Sequence, residues 1–182
     1  MAEAFSNKLT RAAGIVTTSS SGSIGVTTTI ITGISTVGVA VSDLVDNANF
    51  IAGTKVTGYG AAASQVVVDQ TSTNTSAVSG SAIVNFLGMT TAYTSAAATK
   101  SILIGGTFAN NTSSSVNLTV EIHDASAGIQ AALASKIPVP TGSSFVISDA
   151  GKSVLEAGDE VRVFCDTANA IDVNLSILTG VS

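Results

Sequence analysis

Between Val116 and Leu178 apolar and polar residues alternate in short runs, divided by clusters of Pro, Gly, Ser, Asp and Asn. A period of two lays one apolar face of a strand on a core, and frequent turn residues fold successive strands back antiparallel. Val116, Leu118, Val120 and Ile122 point one way while Asn117, Thr119, Glu121 and His123 point the other. The terminal run repeats this, with Ile171, Val173, Leu175 and Ile177 against Asp172, Asn174 and Ser176. Turns NNTSSS, PTGSS, SDAGK, EAGD and DTANA separate strands drafted as IVNFLGM, KSILIGGTFAN, SVNLTVEIHD, KIPVP, SFVIS, SVLE, DEVRVFCD and AIDVNLSIL. About eight strands at this spacing predict an antiparallel β-sandwich or jelly roll over residues 83–182. DASAGIQAALAS, residues 124–135, reads as a loop with at most one helical turn, from Ile129, Ala132 and Leu133.

Upstream, β-branched residues with Gly and Ser every few positions predict a small, strongly twisted β-domain over residues 15–75. Its clearest piece, VSDLVDNANFIAGTKVTGYGAAASQVVVD, offers Asp43, Asn47 and Asn49 as turn formers. The uncharged QTSTNTSAVSGSA, residues 70–82, is the natural place for a linker, set at 76–82; the alternative is a polar strand at the domain's rim. Residues 1–14 read as an arm or short helix, because Phe5, Leu9 and Ala12 or Ala13 recur at helical spacing before Gly14. A frayed terminus fits as well, since so short a helix is marginal alone. The expected fold class is therefore all-β, with two small β-domains.

Composition sharpens this picture. Of 182 residues, 45% are hydrophobic and only 10% charged, against roughly 25% charged in ordinary soluble domains. Ser and Thr take the places of Lys and Glu, so the exposed faces are hydroxyl-rich and poor in charge, a composition that promotes association. No apolar run approaches the ~20 residues of a spanning helix, and MAEAFSNKLTRAAG lacks the apolar core of a signal peptide. Assembly in a cytoplasm, with no membrane partner, is the expectation. Net charge is −5, and Lys8, Arg11, Lys55, Lys100, Lys136, Lys152 and Arg162 are scattered. Without a cluster of cations or aromatic platforms, no nucleic-acid partner is expected.

Candidate chemistry is sparse, and no catalytic, cofactor-binding or metal-ligating residue is assigned. His123, the single histidine, is already explained by strand alternation, and no Gly-x-Ser-x-Gly elbow marks a nucleophile. Cys165, the single cysteine, reads as a small buried hydrophobe. Asp149, Glu156, Asp159, Glu160 and Asp166 form a loose carboxylate set that Ca²⁺ would favour, but EF-hand spacing is missing and turn chemistry explains them. Gly151-Lys152-Ser153 lacks the upstream glycine loop of a phosphate-binding motif and reads as a turn. No cofactor is expected, and the chain reads as a non-enzyme.

The succession VPTGSSFVI, SVLEAGDEVRVFCD and AIDVNLSILTG resembles the C-terminal β-domain of virion structural proteins of tailed bacteriophages, notably marine and cyanobacterial phages. The resemblance covers about half the chain, and VGVAVSDLVDNANFIAGTKVTGYG also looks like the small β-units of phage structural and adhesin proteins. It implies a non-enzymatic structural component of the virion, either a capsid decoration protein or a neck or tail subunit. Its partners would then be copies of itself and other virion proteins, met through the arm at residues 1–13 or the edges of strands 113–123 and 171–178. The alternative is a virion module for host-surface glycan, although aromatic supply is thin: no Trp, and only Tyr59 and Tyr93.

Overall fold

The structure, a computed structural model, describes residues 3–148 and 152–181. It is all-β, with 60% of the chain in strands and no helix among the described residues. The strands form antiparallel sheets belonging to two compact units. One unit is Ile15–Met89; the other joins the residues up to Gly14 with those from Thr90 onward.

The chain begins in the discontinuous unit with β1 (Ala4–Ala13), then enters the continuous one. There it forms β2 (Ile15–Ile24), β3 (Ile30–Thr32), β4 (Leu44–Asp46), β5 (Val56–Tyr59), β6 (Gln65–Val68) and β7 (Val78–Gly88). Their order is β4-β7-β2-β3-β6-β5. The two ends of this sheet meet: Leu44 bridges Lys55 antiparallel, with Val45 N donating to Thr54 O at 2.8 Å and Val56 N to Asp43 O at 2.9 Å. The six strands thus close into a small barrel, which removes the open edges that a flat sheet would expose. Ile24, Ile31, Val56, Val66, Val84 and Phe86 fill its interior. The predicted turn chemistry holds in place: Asp43 Oδ2 accepts the Ala40 N–H, and Asn47 Oδ1 accepts the Asn49 N–H.

The segment expected to be a linker belongs to this barrel. Val78–Gly88 is β7, paired along β2 and β4. Ahead of it, Ser72 Oγ donates to Gly25 O at 2.8 Å and accepts from Thr28 N at 3.0 Å. Asn74 Nδ2 donates to Ile24 O. Small polar residues lie here because their side chains pair with barrel backbone, so the boundary falls at Met89/Thr90 rather than near residue 83.

Returning at Thr90, the chain forms β8 (Thr90–Thr94), β9 (Lys100–Asn110), β10 (Val116–Asp124), β11 (Ile129–Val139), β12 (Ser144–Ile147), β13 (Ser153–Leu155), β14 (Glu160–Cys165) and β15 (Ile171–Val181). One sheet runs β1-β15-β9-β12, with β13 also on β9; the other runs β11-β10-β14-β8. Apolar residues from both sheets share one core. Leu103, Phe108, Ile171, Leu175 and Ile177 come from the first, and Leu118, Val120, Val161, Val163 and Cys165 from the second. Burying each large side chain contributes about 1.5–3 kcal/mol. The unit is the expected antiparallel β-sandwich.

Two expectations are corrected in this unit. Residues 4–13 are neither helix nor free arm but strand β1, paired with β15 from Ala4↔Thr179 to Ala13↔Ile171. Phe5 and Leu9 lie four apart, a spacing that a helix and a strand both place on one side; the waiting edge of β15 decides for the strand. The supposed loop at 124–135 is a hairpin. Asp124 Oδ1 accepts the N–H groups of Ser126 and Ala127 at 2.9 Å, Gly128 sits at φ +66°, and β11 returns along β10. Turn chemistry in Asp124–Gly128 outweighs the helical spacing that follows it.

Candidate functional site

On the outward phase of β10 and β14 the register sets Glu121 opposite Arg162 and His123 opposite Glu160. Arg162 Nε donates to Glu160 Oε2 at 2.7 Å, and Glu121 and Arg162 are both buried, at 4% and 9% exposure. These four form an ionisable quartet on the β10–β14 pair. Its arginine is held by a neighbouring carboxylate. His123 Nδ1 is shielded from solvent without a hydrogen-bond partner. A histidine base needs a nucleophile within hydrogen-bond reach, and no hydroxyl is bonded to Nδ1. Alternation placed Glu121 and His123 on one face; only the antiparallel register adds Glu160 and Arg162.

The remaining carboxylates are dispersed. Asp159 is buried, and its two oxygens accept the backbone N–H groups of Ala125 at 3.0 Å and Glu156 at 2.9 Å, tying two turns together. Glu156 lies 3.0 Å from Lys100 Nζ. Asp166 accepts both the backbone and the side-chain N–H of Asn117. Asp149, and Gly151 of the Gly151-Lys152-Ser153 turn, lie outside the described residues. Among the described residues no group of three or more His, Cys, Asp or Glu is placed to hold a metal ion.

Cys165 is fully buried in the sandwich core. Burial pushes its thiol up to about 11, and the adjacent Asp166 carboxylate adds to the rise. Tyr93 packs against the same core and shares a 2.8 Å hydrogen bond with Ser101 Oγ, whereas Tyr59 is 52% exposed and donates to Val39 O at 2.6 Å.

The opposite sheet of the sandwich carries the more telling surface. The outward face of β1-β15-β9-β12 displays Phe5 at 64% exposure, Leu9 at 73% and Val146 at 56%, and Val154 of β13 joins them. Two shallow grooves cross this face. One, of about 390 Å³, runs between Leu9, Arg11, Ala109 and Asp172; the other, of about 250 Å³, runs between Phe5, Ile104, Val146 and Ser176. Thr107 and Asn174 line both. Isolated exposed apolar residues are ordinary, whereas several gathered on one sheet face are not. This face is hidden in the sequence because Phe5 and Leu9 fit an arm or a short helix as well as a strand, and because Val146 and Val154 sit in strands too short to show which phase is inward.

The strands expected to offer docking edges, 113–123 and 171–178, are not edges. β10 lies between β11 and β14, and β15 between β1 and β9, so both are hydrogen-bonded on each side. The edges are β1, β12 with β13, β8 and β11. Comparison of the chain with protein-family models, with curated proteins and with solved structures finds no match.

Proposed function

We propose that this chain is a non-enzymatic structural subunit of a tailed-phage particle, a capsid decoration protein or a neck or tail component, acting through protein–protein contacts. The observation that carries the contact role is the outward apolar face holding Phe5, Leu9, Val146 and Val154, on a chain with only 10% charged residues. Such a face is costly to leave in water and gains by being covered. The assignment to a phage particle draws on the motif succession VPTGSSFVI, SVLEAGDEVRVFCD and AIDVNLSILTG. The alternative, glycan binding, has less to draw on, since Tyr93 is turned to the core and the exposed aromatic rings among the described residues are those of Tyr59 and Phe5.

Mass spectrometry of purified particles from the source phage, with the subunit located in a reconstruction, tests the proposal. The chain is expected in stoichiometric amount, and a Phe5→Ser/Leu9→Ser variant, altered only at exposed positions, is expected to fold but fail to incorporate. Absence of the chain from particles, or full incorporation of the double variant, overturns the proposal.

A further inference from the structure

β1 carries its apolar residues on the wrong side for a sandwich strand. The register sets Ser6, Lys8 and Thr10 beside Ile177, Leu175 and Val173, the residues through which β15 faces the core. Phe5 and Leu9 stand on the outer side of the sheet. The apolar phase of such a strand ordinarily faces in, because its burial is what holds the strand in place. Here Ser6 and Thr10 are half-buried, Lys8 is exposed, and Ala13, at the strand's end, is the residue that β1 places in the core. Residues 4–10 are therefore held by their backbone ladder and by side-chain bonds at the long end of the range. Thr10 Oγ1 donates to Ala92 O at 3.4 Å, Ser176 Oγ to Asn7 Oδ1 at 3.4 Å, and Thr179 Oγ1 to Ala4 O at 3.2 Å.

The end of β1 is fastened differently. Ala12 N donates to Asp172 Oδ1 at 2.9 Å, while Ala13 O accepts Ala170 N at 3.0 Å and Gly14 O accepts Asn169 N at 2.9 Å. Gly14, at φ +121°, passes so close to Thr167 O that a Cβ would collide with it. Between the two parts the pairing slips after Thr10, and Ala12 leaves the ladder at φ +55°. An interrupted ladder can open on one side of the break while the other side stays closed.

We propose that residues 4–10 form a strap that opens from β15 as a unit, while residues 12–14 stay anchored and the rest of the sandwich stays folded. Closed, the strap sets Phe5 beside Leu178 and Leu9 beside Asn174 on the outer sheet face; open, it removes both and bares the edge of β15. The apolar face is thus conditional on a strand less stable than the sandwich that carries it. The opening is independent of the contact role proposed above, and only its consequence for contacts rests on that reading.

Native-state hydrogen exchange of the intact chain, followed residue by residue by NMR, tests the strap. β15 is antiparallel to both neighbours, so its amides divide into those facing β1 and those facing β9. Residues 4–10 and the β1-facing amides of β15 are expected to exchange together, faster than the β9-facing amides by on the order of tenfold or more. Asn169 and Ala170, bonded to Gly14 and Ala13, are expected to stay protected. Ser6→Val/Thr10→Val, which makes the core side of the strap apolar, is expected to slow exchange of residues 4–10 and leave the β9-facing amides unchanged. One common rate for β1 and both sets of β15 amides overturns the strap, as does an unchanged rate in the double-valine variant. Exchange of Asn169 and Ala170 in step with residues 4–10 overturns the anchor at residues 12–14. None of these outcomes bears on whether the chain is present in particles, which tests the virion role separately.

Discussion

Ala12 donates its backbone N–H to Oδ1 of Asp172 at 2.9 Å, joining residues 160 positions apart. The contact sits where the pairing of β1 with β15 slips between Thr10 and Ala13. Ala12 there adopts φ +55°, which frees its N–H from the ladder for the carboxylate. The Ala12 N–H, with smaller help from Asn111 and Arg11, holds Asp172 below the ordinary carboxylate value of 3.8. Because the folded-state pKa is depressed, the stabilisation is present above that ordinary value and is lost as pH falls through the folded one. Hydrogen exchange is therefore expected to show β1 amides losing protection on acidification below about pH 4, before the core of the sandwich does. Asp172→Asn, which keeps an acceptor but no charge, should flatten that dependence; Asp172→Ala should cost about 1 kcal/mol at neutral pH. Uniform pH dependence across β1 and β15 in the wild type would contradict this.

Ser72 tests the barrel's hold on the polar segment before β7. Its buried hydroxyl both donates to Gly25 and accepts from Thr28. Ser72→Ala leaves a donor and an acceptor unpaired and is expected to destabilise by about 1–3 kcal/mol in chemical denaturation. A linker serine would tolerate the change within about 0.5 kcal/mol.

Asp43 behaves oppositely to Asp172. It is buried, and desolvation raises its carboxyl above 3.8 although the Ala40 N–H opposes the rise. The charged form is the disfavoured one, so the penalty is absent below the ordinary value and grows as pH rises through the folded pKa. Asp43→Asn, which preserves an acceptor for Ala40, is expected to raise the melting temperature at pH 7 and to leave it unchanged near pH 3. A lower melting temperature at pH 7 would refute this account.

Cys165 is expected to resist alkylation at pH 8 in the native protein. Burial and a thiol pushed to about 11 both suppress the reactive thiolate. Labelling should accelerate by orders of magnitude in denaturant, and its native rate should track unfolding of the sandwich. Rapid native labelling would place the thiol at the surface.

Long alternating strands were the most legible part of the fold. Val116 to Ile122 and Ile171 to Ile177 show their inward phase directly, and each lies in the core as read. The segment DASAGIQAALAS reads as a loop with at most one helical turn, from Ile129, Ala132 and Leu133, whereas Asp124 and Gly128 form the turn that makes it a hairpin. The candidate surfaces were less legible. Glu121 and His123 share a face by alternation, but Glu160 and Arg162 join them only through a register set some 40 residues later in the chain.

Composition and period together determined an all-β protein with a charge-poor exterior, because both act locally: β-branched residues favour extended backbone, and alternation needs no partner to be visible. Tertiary structure alone decided that the residues before Gly14 complete the sandwich of residues 90–181, and that Leu44 meets Lys55 to close a barrel. It alone also places β11 at the edge of its sheet while β10 and β15 lie inside theirs. Strand order depends on pairings between distant segments, whose free energy comes from a shared core and a complete hydrogen-bond ladder, and no local window of residues contains either.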